Sequence, residues 1–271
     1  MWWFQQGLCF LPAALVVWTA ASFVFAYITA VVLRHVDPLV PYIRSEPPHT
    51  HLNSAVVHVS CVAGIATVYV RYKQVEALTG EDELKLRRLN RIGLLLGLIS
   101  SFGMCVVANF QKTTLFSMHL VGAILTFGVG ALYILVQTLL SFYMQPHVHS
   151  RTTYLVRLTI GACTLGSIIS MFVSSVIMYS VLSGVDVPRK LHWTPGEPGY
   201  APHIVSTVSE WCLAFSFISF FLTYIRDFQK INLRAVAVVH CSHLYDRPHG
   251  GVAASRQNKP SETSPLLAGS T

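Results

Sequence analysis

The chain has 271 residues, 53% of them hydrophobic and only 11% charged, and its 19 Lys and Arg against 12 Asp and Glu give a formal net charge of +7. A soluble domain carries about 25% charged residues, so the composition excludes an ordinary soluble protein and points to a single polytopic membrane bundle. The cations are divided among many segments rather than gathered on one patch, which argues against nucleic acid as a partner.

A bilayer core of about 30 Å takes about 20 apolar residues in a helix. The first apolar run covers residues 9–33. No Lys or Arg precedes it and it is long for a signal-peptide core, so it is expected to remain as a first span. Trp2 and Trp3 suit the interfacial aromatic belt, and Pro12 falls in the first turns, where a helix tolerates it. Residues 34–50 form a Pro-rich polar loop. The second span, 52–70, sets His51, Ser54, His58 and Cys61 on one face. Residues 71–91 are the most charged stretch and are expected as a solvent loop with some helix.

The third span, 92–110, repeats Gly93, Gly97, Ser101 and Cys105 at steps of four. The fourth, 117–140, repeats Gly122, Thr126 and Gly130, and the fifth, 155–182, repeats Ala162, Gly166, Ser170 and Ser174. Small residues at that spacing let helices approach closely, so Gly97, Gly130 and Gly166 are expected to face neighbouring helices. A Pro-rich loop, 183–202, leads to the sixth span, 203–225. Residues 234–271 are polar and aperiodic and are expected to be a disordered tail. The expected fold is an all-α membrane protein, a six-transmembrane-helix bundle over residues 1–233. The six cysteines, none in a CxxC pair, are taken as packing residues.

Loops one, three and five hold Arg34, Arg44, Lys112, Arg189 and Lys190, five of the 19 cations; the other 14 lie at the opposite side, in loop two, in loop four and the start of span five, and beyond span six. Basic residues favour the cytosolic side, so both termini are expected there. Within this topology His58, His119 and Glu210 fall in the lumen-side third of their spans. Glu210 is the only acid placed inside an expected span, and His203, Ser206, Thr207 and Glu210 recur at helical spacing. An ionisable group at that depth is costly and marks a candidate ion pair, proton site or headgroup site; the alternative is a hydrogen-bonded structural cluster. No catalytic set, metal site or cofactor motif is legible.

In the tail, Glu262 is followed after three spacers by Leu266 and Leu267. This resembles the acidic dileucine signals read by clathrin adaptors, with a carboxylate for a basic site and two leucines for an apolar slot.

The start MWWFQQGLCFLP, the segments VYVRYKQV and VVANFQKTTLF, the loop KLHWTPGEPGY, and the last span with EW and FFLTYIRDFQK together resemble the DNA damage-regulated autophagy modulator family. The resemblance runs from residue 1 to about 233, loop one excepted: there the family tends to read Ser-Asp-Thr-Gly where this chain has Arg44-Ser45-Glu46-Pro47. His58 also stands where the family leads one to expect Asn. The resemblance implies a six-span lysosomal membrane protein, with late-endosomal and transient plasma-membrane pools, that promotes autophagy without catalysis; some members are linked to cell death. It implies the bilayer and unspecified autophagy machinery as partners, and it marks Asn109, Gln111, Trp193, Pro195, Glu210 and Trp211 as family positions. The alternatives are a lipid-handling protein using Glu210 and its histidines, or a proton-linked transporter.

Overall fold

A computed structural model of the chain describes residues 7–32, 51–80, 82–110, 115–182, 187, 190 and 192–231. Loop one and the tail, with Gln111, Glu262, Leu266 and Leu267, lie outside the described residues. Among those described, every regular element is helical. A short 3-10 turn, Gly7–Cys9, enters α1 (Phe10–Val32), followed by α2 (His51–Leu78), α3 (Leu84–Asn109) and α4 (Phe116–Ala123). A π-helical segment, Ile124–Val129, joins α4 to α5 (Gly130–Tyr143). Then come α6 (Arg151–Val181), α7 (Tyr200–Leu222) and a five-residue α8 (Tyr224–Phe228).

Local chemistry sets several of these boundaries. Ser150 caps α6 by accepting from the Thr153 amide at 3.2 Å, which satisfies one of the donors a helix start leaves free. Gly199 precedes α7 at φ 84°, and a Cβ there would sit 2.9 Å from the Leu182 side chain, so only glycine fits the approach. In the π segment the Thr126 carbonyl takes the Ser100 hydroxyl at 2.8 Å.

Five segments are long and apolar enough to cross a bilayer: Gly7–Thr29, Leu84–Asn109, Phe116–Tyr143, Arg151–Val181 and Tyr200–Phe228. α2 is not among the five, but it packs between α1 and α3 as a further helix of the bundle. The segment expected as a charged solvent loop is in fact helical on both sides of a short turn, because α2 continues to Leu78 and α3 begins at Leu84.

The packing is inverted relative to a water-soluble protein. α6 buries Arg157, Gly161, Thr164, Ser174 and Met178, while Ile169 and Phe172 on its outer side are 63% and 68% exposed. Hydrocarbon solvates such a surface, so the interior is free to hold small and polar residues that bond between helices. The Ser175 and Ser206 hydroxyls meet at 3.1 Å, and Ser209 donates to Ser170 at 2.8 Å, tying α6 to α7. Thr19 donates to Ser60 across α1 and α2 at 3.3 Å.

The glycine stripes divide. A Cβ at Gly97 would lie 2.6 Å from the Val68 side chain, and one at Gly130 would lie 2.5 Å from Phe217. Gly166 has nothing within 4 Å and is exposed, so the expectation that it faces a neighbouring helix is corrected. The buried line of α6 runs through Gly161 and Thr164 instead, turning Ala162 and Gly166 outward. Gly97→Leu and Gly130→Leu are each expected to lower stability in detergent by about 1–3 kcal/mol, if overpacking costs resemble those of soluble cores. Gly166→Leu should leave the unfolding midpoint unchanged. Equal midpoints for all three variants would contradict this packing.

Candidate functional site

The two ends of the bundle carry different chemistry. At one end α3 finishes, α4 starts, and α6 hands over to α7. There Trp193, 8% exposed, stacks on His203 with ring centroids 4.2 Å apart and planes 6° from parallel. The Trp193 indole donates to the Lys190 carbonyl at 3.2 Å, and the Lys190 ammonium lies 5.0 Å from the ring centroid. A satellite core of Met178, Val187 and Trp193 packs at this end. The structure thus brings together two of the residues singled out in the sequence, His203 and Trp193, from a loop and a helix start.

The others lie on α2, α3, α4 and α7 and in the loop before α7. The His119 ring bonds the Phe110 carbonyl at 2.9 Å, tying α4 back to the end of α3. Glu210 is half-buried in α7, seven residues beyond His203 and so roughly 10 Å along the axis. Trp211 meets Tyr27 of α1 edge-on at 6.2 Å. His58 is half-buried in α2, and Pro195 is exposed in a turn. Asn109 is exposed and returns its amide to the Cys105 carbonyl at 2.9 Å. Among the described residues, no three His, Cys, Asp or Glu side chains gather into a set that could hold a metal ion.

The opposite end holds a cluster that the sequence left unmarked. Arg71 of α2 and Arg157 of α6 are both fully buried. Their guanidiniums converge on one carboxylate oxygen: Asp227 Oδ2 lies 3.2 Å from Arg71 Nη1 and 2.6 Å from Arg157 Nη2. Asp227 sits on α8, inside the segment Tyr200–Phe228, so Glu210 is not the only acid within a candidate span.

Each arginine is wired further. Arg71 Nε donates to Gln137 at 3.2 Å and Nη1 to Gln74 at 2.7 Å. Arg157 Nε donates to the Thr223 hydroxyl at 2.9 Å and Nη1 to Ser141 at 2.6 Å. Arg157 Nη2 also reaches the Thr223 carbonyl, at the break between α7 and α8. Both guanidiniums lie over the Tyr224 ring, 5.3 and 5.0 Å from its centroid, where the π face offsets part of their charge. The Tyr224 hydroxyl meets that of Tyr133 at 3.0 Å. Gln137 can come close to α3 because position 93 is glycine: a Cβ there would lie 2.8 Å from its amide nitrogen.

His149, in the link between α5 and α6, completes the cluster. Its Nε2 faces Arg71 Nη2 at 3.1 Å and its Nδ1 faces Asp227 Oδ1 at 3.6 Å. Arg71 can only donate, so Nε2 accepts and the proton belongs on Nδ1, toward the carboxylate. Burial, reinforced by the Arg71 cation, lowers the imidazole pKa from 6.5 to about 4. The cluster at neutral pH is therefore two cations, one anion and a neutral ring.

The entry to α1 and the exit from α8 meet beside it. The Leu8 amide donates to the Ile231 carbonyl at 3.1 Å. Gly7, at φ 69°, packs so closely that a Cβ would fall 2.6 to 2.8 Å from the carbonyls of Ile231, Gln229 and Phe228.

Two outcomes follow from this geometry. Asp227→Asn keeps the shape but leaves two buried guanidiniums against a neutral amide, and should cost about 3–5 kcal/mol. Lys73→Ala breaks the exposed pair with Glu76 and the contact with the Tyr72 ring and should cost under about 1 kcal/mol. Chemical unfolding of both variants in detergent compares them directly, and similar costs would contradict the clasp. The second outcome concerns pH. The unfolded His149 titrates near 6.5 and the folded one near 4, so the unfolded chain takes up the proton first as the solution is acidified. Stability should be level above pH 6.5 and fall by up to about 3 kcal/mol between there and pH 4. His149→Gln, which bonds both neighbours but does not titrate, should flatten that part of the profile.

Comparison with known proteins adds to the geometry. The Frag1/DRAM/Sfk1/Cwh43P N-terminal domain model matches residues 7–231. The chain is 53% identical to DNA damage-regulated autophagy modulator protein 2 of Mus musculus over 249 residues, covering 91% of this chain and 93% of the relative. It is 37% identical to DNA damage-regulated autophagy modulator protein 1 of Homo sapiens over 234 residues, 85% of this chain and 95% of the relative. It is 26% identical to the Modulator of macroautophagy TMEM150B of Danio rerio over 233 residues, 84% of this chain and 88% of the relative. No solved structure matches.

Proposed function

The chain belongs to the Frag1/DRAM/Sfk1/Cwh43P family, and from that premise we propose that it promotes autophagy from the lysosomal membrane as a non-enzymatic regulator. The observation that carries this is the likeness, over nine-tenths of the chain, to relatives named as autophagy modulators. The helical bundle with an apolar outer surface supports a life in the bilayer. In the full account α2 is the sixth span and both termini are cytosolic. The 14-to-5 division of the 19 cations supports that orientation, and so does the contact of Leu8 with Ile231 at the end where Arg71 and Arg157 lie. The Glu210 end then faces the lumen, and the tail carries Glu262, Leu266 and Leu267 to cytosolic clathrin adaptors.

The test is made in cells lacking the chain, with autophagic flux, protein level and location scored together after re-expression. The parent should restore flux from lysosomes. Leu266→Ala with Leu267→Ala should reach normal levels yet accumulate at the plasma membrane. Failure of the parent to alter flux would overturn the functional proposal, and unchanged lysosomal delivery of the double variant would overturn the sorting signal. Glu210→Gln in the same cells asks whether the lumen-side end takes part: lost flux at normal level and location assigns it a role, and unaltered flux makes Glu210 structural.

A further inference from the structure

We propose that the arginine pair at the α2–α6–α8 end is a binding site for a phosphomonoester, in which the Asp227 carboxylate stands as an internal, exchangeable occupant. The charge balance comes first. Arg71 and Arg157 are both fully buried, they remain charged at any cellular pH, and the one carboxylate between them leaves a net charge of +1 in the cluster. An uncompensated charge in such a setting is costly, and the Tyr224 ring offsets only part of it. An anion with more than one charge would balance the pair.

The donor geometry points the same way. Both guanidiniums crowd onto Oδ2, while among the described residues Oδ1 has the His149 Nδ1 alone, at 3.6 Å. A guanidinium has five N–H donors. Arg71 spends four of them on Gln137, Gln74, Asp227 and His149. Arg157 spends four on Thr223 Oγ1, Ser141, Asp227 and the Thr223 carbonyl. Among the described residues one donor on each is left over, and a phosphomonoester brings three terminal oxygens where the carboxylate brings two.

The carboxylate can also leave. The side chain of Asp227 is 12% exposed, whereas those of Arg71 and Arg157 are at 0%, so the acid forms the outer wall of the cluster. Lys230, in the turn just past α8, is exposed and offers a cation near the released carboxylate. Tyr224 and Phe228, at 0% exposure, keep α8 seated meanwhile. Asp227 is the penultimate residue of the apolar segment Tyr200–Phe228, which puts the exchange near the membrane interface, within reach of lipid phosphates.

The experiment uses the full chain in nanodiscs. One series contains phosphatidylcholine alone, one adds phosphatidic acid, and one adds phosphatidylglycerol matched for surface charge; a fourth arm titrates inorganic phosphate into the first. Phosphatidic acid should raise the unfolding temperature saturably above the phosphatidylglycerol value. Asp227→Asn, which removes the competing charge, should lower the half-saturating ligand concentration about tenfold, and Arg71→Gln should abolish the response. A response to inorganic phosphate as well assigns a soluble phosphomonoester; a response to phosphatidic acid alone assigns the lipid headgroup. Should Asp227→Asn fail to fold, the parent in phosphatidic acid against phosphatidylglycerol decides. Equal stability of the parent in those two lipids with no saturable response to inorganic phosphate would overturn the site, as would a phosphatidic acid effect that survives Arg71→Gln.

Discussion

An arginine cannot shed its charge at any pH a cell reaches, so enclosing Arg71 and Arg157 dictates what must surround them. Each guanidinium needs acceptors on several sides, and one helix cannot supply them. The acceptors come from α2 through Gln74, from α5 through Gln137 and Ser141, from the α5–α6 link through His149, from the α7–α8 break through Thr223, and from α8 through Asp227. Satisfying two side chains therefore fixes the relative places of most of the bundle. Features that look unrelated in the sequence serve the same end. Gly93 makes room for Gln137, Gly7 lets the turn that enters α1 lie on the carbonyls at the end of α8 and just beyond it, and Gln74 holds the Asp227 carbonyl at 2.8 Å.

Away from this cluster the bundle is held by many weaker contacts. In lipid there is no hydrophobic drive between helices, and association rests on close packing and on interhelical hydrogen bonds worth about 0.6 kcal/mol each. The serine pairs of α6 and α7 and the glycines of α3 and α5 are of this kind. The π-helical segment belongs here too. Gly103 would place a Cβ 2.6 Å from Leu125 and from the Thr126 nitrogen, so that segment lies directly on α3. Among the described residues, the opposite end, closed by Trp193 on His203, has no buried arginine pair and rests on apolar and stacking contacts together with the Lys190–Glu197 ion pair.

The helices themselves were legible because hydrophobic length is a strong signal, and the stripes through Gly97, Gly122 and Gly130 were legible because small residues repeat every four. Gly166 failed because the same spacing also occurs on a lipid-facing side, where glycine meets nothing. Arg71 and Arg157 were missed for a definite reason: charge near the end of an apolar run reads as the edge of a span. The signal that could have found Arg71 is its phase. Cys61, Gly64, Val68, Arg71 and Val75 follow one another at steps of three and four and are all buried, so the cation continues the core face of α2. Asp227 likewise follows Phe220 and Tyr224. Its partners lie 70 and 156 residues away in the chain, a pairing that periodicity cannot supply. The stack of Trp193 on His203 was half visible, since both residues had been singled out but nothing in their spacing joined them.

The claim on which the account rests is that Arg157 and Asp227 hold each other, and hold α6 to α8, in a buried setting. A double-mutant cycle measures this most directly, with Arg157→Ala, Asp227→Ala and the double variant unfolded in the same lipid and detergent mixture. Close buried charge pairs show coupling energies of about 1.5–7 kcal/mol, and a value in that range is predicted. Additivity within about 0.5 kcal/mol, as for sites that do not interact, would contradict it.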